Sequence, residues 1–207
     1  EACARYSLLA AQWLAPRLGV YQLAHPKTAV QLEPTTRVVD FSREEVDVVI
    51  RSGKGKWSGL LTYKLIDVRY TLMVSPALAE KVGGLHRPED MFKVDLIDPH
   101  DPWWIDWFKA CGQPIDKLNM DLGPIGLQTI TASAAIAGRG AALLVKEFFE
   151  QEIRDGRLYQ PFDVMVDTET AYWLAFPEGR RNVPKIKAFR DWILAERTYA
   201  VWPDMEA

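Results

Sequence analysis

The chain has 207 residues, 48% of them hydrophobic and 26% charged, which is the composition of one large globular domain or two small ones. Twenty-five Lys and Arg against 28 Asp and Glu leave a formal charge of -3, so the chain lacks the basic excess that grips a polyphosphate and is not expected to bind DNA by itself. Charged residues interrupt every apolar run short of a membrane span, and two cysteines, Cys3 and Cys111, are too few and too far apart for a disulfide framework or a zinc site. A soluble, cytoplasmic protein with free thiols is expected, with no membrane partner.

Ala2 to Ser7 reads as a short strand and loop. Leu9, Trp13, Leu14, Leu18 and Tyr21 then recur at helical spacing up to His25-Pro26, with Pro16 starting a second segment or kinking the first. Thr28 to Leu32 alternates like a strand, Pro34-Thr35-Thr36 is its loop, Val38 to Glu45 a short helix, and Val46 to Ile50 a strand covered on both faces. Leu60 to Val74 is a long extended stretch broken near Asp67, a candidate crossing between lobes. Ser75-Pro76 supplies an N-cap and an N1 proline for a helix that ends at Gly83-Gly84.

Alternation resumes with Val94 to Ile97 as strand, Pro102 to Cys111 as helix, Leu118 to Leu122 as strand, and Gln128 to Ala137 as a helix stopped by Gly138 and Gly140. Ala141 to Val145 is a buried strand and Lys146 to Arg154 a helix. Leu158 to Phe162 and Ala171 to Phe176 are strands, and Ile186, Phe189, Trp192 and Ile193 mark one face of a closing helix. The pattern predicts an α/β protein with mostly parallel sheets in two lobes, with a ligand cleft at the strand ends.

Catalytic signatures are missing from the sequence: there is no nucleophile elbow, zinc-protease helix, paired-cysteine motif or complete dinucleotide fingerprint. Gly53-Lys54-Gly55-Lys56 has Ile50 where a phosphate loop needs its first glycine and Trp57 where it needs Ser or Thr, so it reads as a lysine-rich surface turn. Gly138-Arg139-Gly140 follows a helix rather than a strand and reads as a C-cap. His25, His86 and His100 are solvated loop histidines, and Asp98, His100 and Asp101 are read as an acidic turn, with no metal expected. Of Trp103, Trp104 and Trp107, at least one belongs to a core and the other two are open to either core or contact surface. Polar groups collect at strand-to-helix turns: Arg5, Tyr6 and Ser7; Thr35 and Thr36; Gln128 and Thr129. Capping and turn chemistry would account for each set taken alone.

Trp13-Leu14-Ala15-Pro16-Arg17-Leu18, Arg37-Val38-Val39-Asp40-Phe41-Ser42-Arg43-Glu44 with Val46 to Arg51, and Gly55-Lys56-Trp57 stand in the order of one family. Ser75-Pro76-Ala77-Leu78, Trp107 with Gly112, Ala134 to Gly140, Gly156-Arg157-Leu158 with Pro161-Phe162, and Phe189-Arg190-Asp191-Trp192 continue it. Over nearly its whole length the chain resembles the effector-binding, or regulatory, domain of a LysR-type transcriptional regulator, in the branch of the glycine-cleavage activator and the β-lactamase regulator. The resemblance implies a type-2 periplasmic-binding-protein-like fold of two Rossmann-like lobes with an inter-lobe cleft. Lobe I would span residues 1–72 and 175–207 and lobe II residues 73–174, with crossovers near Tyr70 to Ser75 and Tyr172 to Phe176.

Carried over by position, the ligand loops fall on Arg5, Tyr6, Ser7 and Leu8, on Thr35 and Thr36, and on Gln128 and Thr129, with Arg51 and Tyr172 near the cleft. Arg5-Tyr6-Ser7-Leu8 departs from the small residues common there, and an Arg-Tyr pair either fills the pocket or selects a carboxylate. The implied function is that of a sensor, with a small-molecule effector and no cofactor, metal or catalytic residue. DNA would be bound by a winged helix-turn-helix domain that this chain does not contain. A homodimer or homotetramer would form through the Leu9 to Tyr21 and Lys146 to Arg154 helices. A transporter's solute-binding protein is the alternative on the same fold; a lyase or dehydratase is a further one, for which no nucleophile and base can be named.

Overall fold

The computed structural model describes residues 8–33, 37–114 and 128–196. The fold divides into two compact units, Glu1–Val68 with Thr168–Ala207, and Arg69–Asp167. Two long strands, β2 (Leu60–Met73) and β4 (Met165–Pro177), carry the chain from the first unit to the second and back. With β1 (Val49–Gly53) and β3 (Ala142–Val145) the strand order is β1-β4-β2-β3.

In the first unit a helix with π geometry, Leu9–Leu14, passes directly into α1 (Ala15–Ala24). The Ala15 N–H bonds the Ala10 carbonyl five residues back, and Pro16, which has no N–H to donate, enters the first turn of α1. The Arg17 guanidinium donates to the Trp13 carbonyl at 2.9 Å, where the ladder is disturbed. Leu9, Trp13, Leu14, Leu18 and Tyr21 are all buried, so the predicted apolar face stands. The closing helix α6 (Pro184–Glu196) buries Ile186 and Ile193.

Four expectations for this unit are corrected. Thr28 to Leu32 belongs to no ladder, and its residues are half-buried at most. Val38 to Glu45 is one turn rather than a helix, because the Asp40 carboxylate takes the Ser42 N–H at 2.9 Å and the Glu44 carboxylate turns back onto the Asp40 N–H at 2.9 Å and onto Arg37 at 2.6 Å. Such local side-chain bonds compete with helix formation. The apolar run Val46 to Ile50 becomes strand only from Val49, half-buried along its length. The break foreseen near Asp67 is absent, because Asp67 points to solvent, paired with Lys64 at 2.8 Å, and leaves the backbone of β2 continuous.

In the second unit β2 and β3 pair antiparallel, with Tyr70 opposite Val145 and Met73 opposite Ala142. Ser75 caps α2 (Pro76–Lys81) by accepting the Leu78 N–H at 3.3 Å, and Gly83 and Gly84 follow at φ 82° and 93°, as the turn requires. A 3₁₀ helix at Pro88–Lys93, not foreseen, is closed by Asp90, whose carboxylate accepts the His86 and Arg87 N–H groups. All three tryptophans of α3 (Trp103–Ala110) are core: Trp103 stacks on Tyr70 at 4.0 Å, and Trp104 donates to the Ile97 and Asp98 carbonyls. Asp98 itself is the one non-glycine residue at positive φ among those described, and Asp101 caps the Trp103 N–H at 2.9 Å, so this acidic stretch is turn and cap.

Val94 to Ile97 contracts to a single parallel bridge, Leu96 with Ala141, and Leu158 to Phe162 to an antiparallel bridge, Val74 with Tyr159. Lys146 to Arg154 is split at Phe149 into a 3₁₀ turn and α5 (Glu150–Arg154). Leu118 to Leu122 lies outside the described residues. Both pairings of defined register, β1 with β4 and β2 with β3, are antiparallel. The long crossing segments, rather than short strands of βαβ units, make these ladders, which is why the parallel expectation fails for them.

Candidate functional site

The sequence places its binding groups at five positions in the described residues, two in the second unit and three in the first. In the second unit α4 (Gln128–Ile136) presents Gln128 and Thr129 at its start. The helix is anchored by buried Thr131, Ala132 and Ala135. It ends where the Gly138 and Arg139 N–H groups bond the Ala135 and Ala134 carbonyls, each at 3.0 Å, with Gly138 at φ 69°. Next to it Gly140 lies so close to the Asp95 carbonyl that a Cβ would stand 2.5 Å from it, and the Ala141 bridge fixes the helix end.

At the other end the Gln128 side chain is 8% exposed, and its amide nitrogen has no hydrogen-bond partner among the described residues. A buried, unsatisfied amide donor costs about 1–3 kcal/mol and is normally paired. The Gln128 carbonyl accepts the Thr131 hydroxyl at 3.0 Å, while Thr129 is half-buried and accepts the Ser133 hydroxyl on its carbonyl at 2.8 Å. A buried side-chain NH₂ without a partner suits a hydrogen-bond acceptor or an anionic group.

In the first unit Arg51 lies on β1 opposite Trp173 of β4, and its guanidinium covers the Trp57 ring at 4.5 Å. Trp173 donates to the Gly53 carbonyl at 2.9 Å, Lys64 lies 5.9 Å from its ring centre, and Gly55, at φ 76°, would bring a Cβ within 2.5 Å of it. The Gly-x-Trp turn is therefore a packed cluster of rings and cations, and Arg51 is already occupied there. Sequence reading missed Trp173; its only signal is Gly55, which makes room for the ring. Lys54 is an exposed turn lysine paired with Glu169, as its sequence context implies. Tyr172, opposite Ser52, is 1% exposed and stands in the core of this unit. Leu8 is fully buried at the start of the first helix. Arg5, Tyr6, Ser7, Thr35 and Thr36 lie outside the described residues.

No group of three or more His, Cys, Asp or Glu among the described residues is placed to hold a metal ion. Burial, with the Glu89 charge second, pushes the Cys111 thiol up to about 11, so it is protonated at neutral pH. No described helix is long and apolar enough to cross a membrane.

Residues 6–198 match the family model of the LysR substrate binding domain. The chain is 34% identical over 189 residues to the glycine cleavage system transcriptional activator of Escherichia coli K12, covering 90% of this chain and 61% of that protein. It is 33% identical over 186 residues to the transcriptional activator AmpR of Rhodobacter capsulatus, covering 89% and 62%. The chain thus spans about three fifths of the length of these curated relatives. Among solved structures, the effector domain of AmpR of Pseudomonas aeruginosa superimposes with a TM-score of 0.76 at 28% identity over 92% of this chain and 91% of that one. The AmpR effector binding domain of Citrobacter freundii has the same fold, with a TM-score of 0.76 at 23% identity over 92% and 94%. The two-lobed, type-2 periplasmic-binding-protein-like α/β architecture follows, and the chain belongs to the LysR substrate binding domain family.

Proposed function

We propose that the chain is the effector-sensing domain of a LysR-type transcriptional regulator and that its effector, a small molecule with a hydrogen-bond acceptor or anionic group, is held at the start of α4 by Gln128 and Thr129. The observation that carries this reading is the buried Gln128 side-chain amide, which has no hydrogen-bond partner among the described residues. Arg5, Tyr6, Ser7, Thr35 and Thr36 are proposed as further contacts, and Leu8, fully buried, acts by packing. Arg51 and Tyr172 act by packing, since one is stacked and the other buried. The relatives are named as transcriptional activators, which favours a regulator over a transporter's solute-binding protein. A binding rather than catalytic role, a cytoplasmic location, and DNA contact made by a separate part of the full protein complete the reading. The net charge of -3 supports the last point.

An effector alters regulation only through different affinity for two states, typically about 1–3 kcal/mol. Self-association through α1 and the α5 region is proposed as its readout. Val20 is 56% and Leu23 85% exposed on α1, an apolar surface suited to a second copy.

The test is a thermal-shift screen against amino acids, aliphatic and aromatic carboxylates, nucleobases and cell-wall fragments. A ligand at 100 times its Kd adds about 2.7 kcal/mol and raises Tm visibly. The expected hit is lost in Thr129→Ala and Gln128→Ala, whereas a hit that both variants retain in full rejects the site.

A further inference from the structure

The first unit contains a cavity of about 680 Å³ apart from the Gln128 and Thr129 contacts. Every described residue lining it belongs to the first unit, and Gln128 and Thr129 are not among them. Its volume falls in the range of sites that take drug-sized molecules, roughly 300–1,000 Å³.

Its walls come from three sources. Leu14 and Leu18 project from the first helices, Ile186 and Phe189 from α6, and Val30 and Val48 from two runs that belong to no ladder. At one wall the Tyr21 ring lies 5.5 Å from Phe189, edge to face, and 4.7 Å from Trp192. The Tyr21 hydroxyl is buried with no hydrogen-bond partner among the described residues, and Thr28, the polar side chain that acts on it, also lines the cavity. Four of the six charged residues that line it are paired, Lys185 with Asp47 at 2.7 Å and Arg37 with Glu44 at 2.6 Å, and Glu33 and Glu45 add carboxylates that would repel an anion.

We propose that this cavity is a second ligand site, taking a compact, uncharged aromatic or aliphatic molecule with one polar group for the Tyr21 hydroxyl. The apolar walls supply the affinity, since each Å² of apolar surface buried contributes roughly 25 cal/mol. The hydroxyl supplies orientation, because a buried O–H gains most from a partner it otherwise lacks. The internal ion pairs set the charge preference: an anionic ligand would compete with Asp47 and Glu44 for their cations, and a neutral one would not.

The test uses 4-fluorophenol as probe, followed by ¹⁹F NMR, on the whole chain. Saturable binding is expected, with nuclear Overhauser contacts to the methyl groups of Leu18 and Ile186. Tyr21→Phe is expected to weaken it about fivefold. Val48→Trp fills the space and is expected to abolish it, while Thr129→Ala leaves it unchanged, which separates this site from the effector contacts. Absence of saturable binding at millimolar probe, contacts to other methyl groups, or binding that survives Val48→Trp overturns the proposal. Because the contacts are read on the wild type, the test stands even if the tryptophan variant folds poorly.

Discussion

Gln128 is the residue on which the account turns, since it is uncommon for a native protein to bury an amide donor and leave it unanswered. Replacing it with Leu keeps the volume and removes the penalty, so Gln128→Leu should raise the stability of the ligand-free protein by about 1 kcal/mol while weakening effector binding at least tenfold. Paired denaturation and binding measurements check both signs. Glu44 makes a pH prediction. The Arg37 hydrogen bond, with the Asp40 N–H second, holds its carboxyl down at about 2, against an ordinary 4.5. A lowered folded pKa contributes stability above the unfolded value and loses it as pH falls toward 2. The turn at residues 40–44 should therefore open only on acidification below about pH 4, as carboxyl chemical shifts would record. Cys111 behaves oppositely: a thiol at about 11 is protonated at pH 7.5, and peptide mapping should find its alkylation about a hundredfold slower than in denaturant.

At the scale of elements, the site depends on how α4 is seated. Gly140 lies against the Asp95 backbone, which cannot move as a side-chain tip can, so Gly140→Ala should break the Leu96–Ala141 bridge and cost about 2 kcal/mol in a thermal melt. Ser75→Ala, losing only a cap, should cost about 1 kcal/mol. What the sequence made legible is what has local causes. The Ser75-Pro76 start, the Gly138 stop, and the apolar faces of the first and last helices are each written in a few neighbouring residues. The failures are those set by distant partners. Val38 to Glu45 has helical spacing, but Asp40 and Glu44 spend their carboxylates on the turn. Thr28 to Leu32 alternates like a strand, yet a strand needs a neighbour that no spacing within it reveals. Gln128 and Thr129 were legible as a helix start by pattern and as binding groups by family resemblance. That the Gln128 amide would be buried unpaired was not, because burial depends on packing from elsewhere in the second unit.

At the scale of the molecule, two units joined by long strands suit a domain whose state a small ligand shifts, and the family supplies the regulatory context. The exposed Val20 and Leu23 predict self-association: sedimentation should show a dimer that Leu23→Glu shifts toward monomer without lowering Tm. The central claim is that the effector engages the start of α4. Its most direct test is a backbone amide NMR titration of the chain with the best ligand from the thermal screen. The account predicts that the Gln128 to Thr131 amides and the Gln128 side-chain NH₂ shift together along a single saturable curve. A ligand that raises Tm while leaving those resonances in place would contradict it.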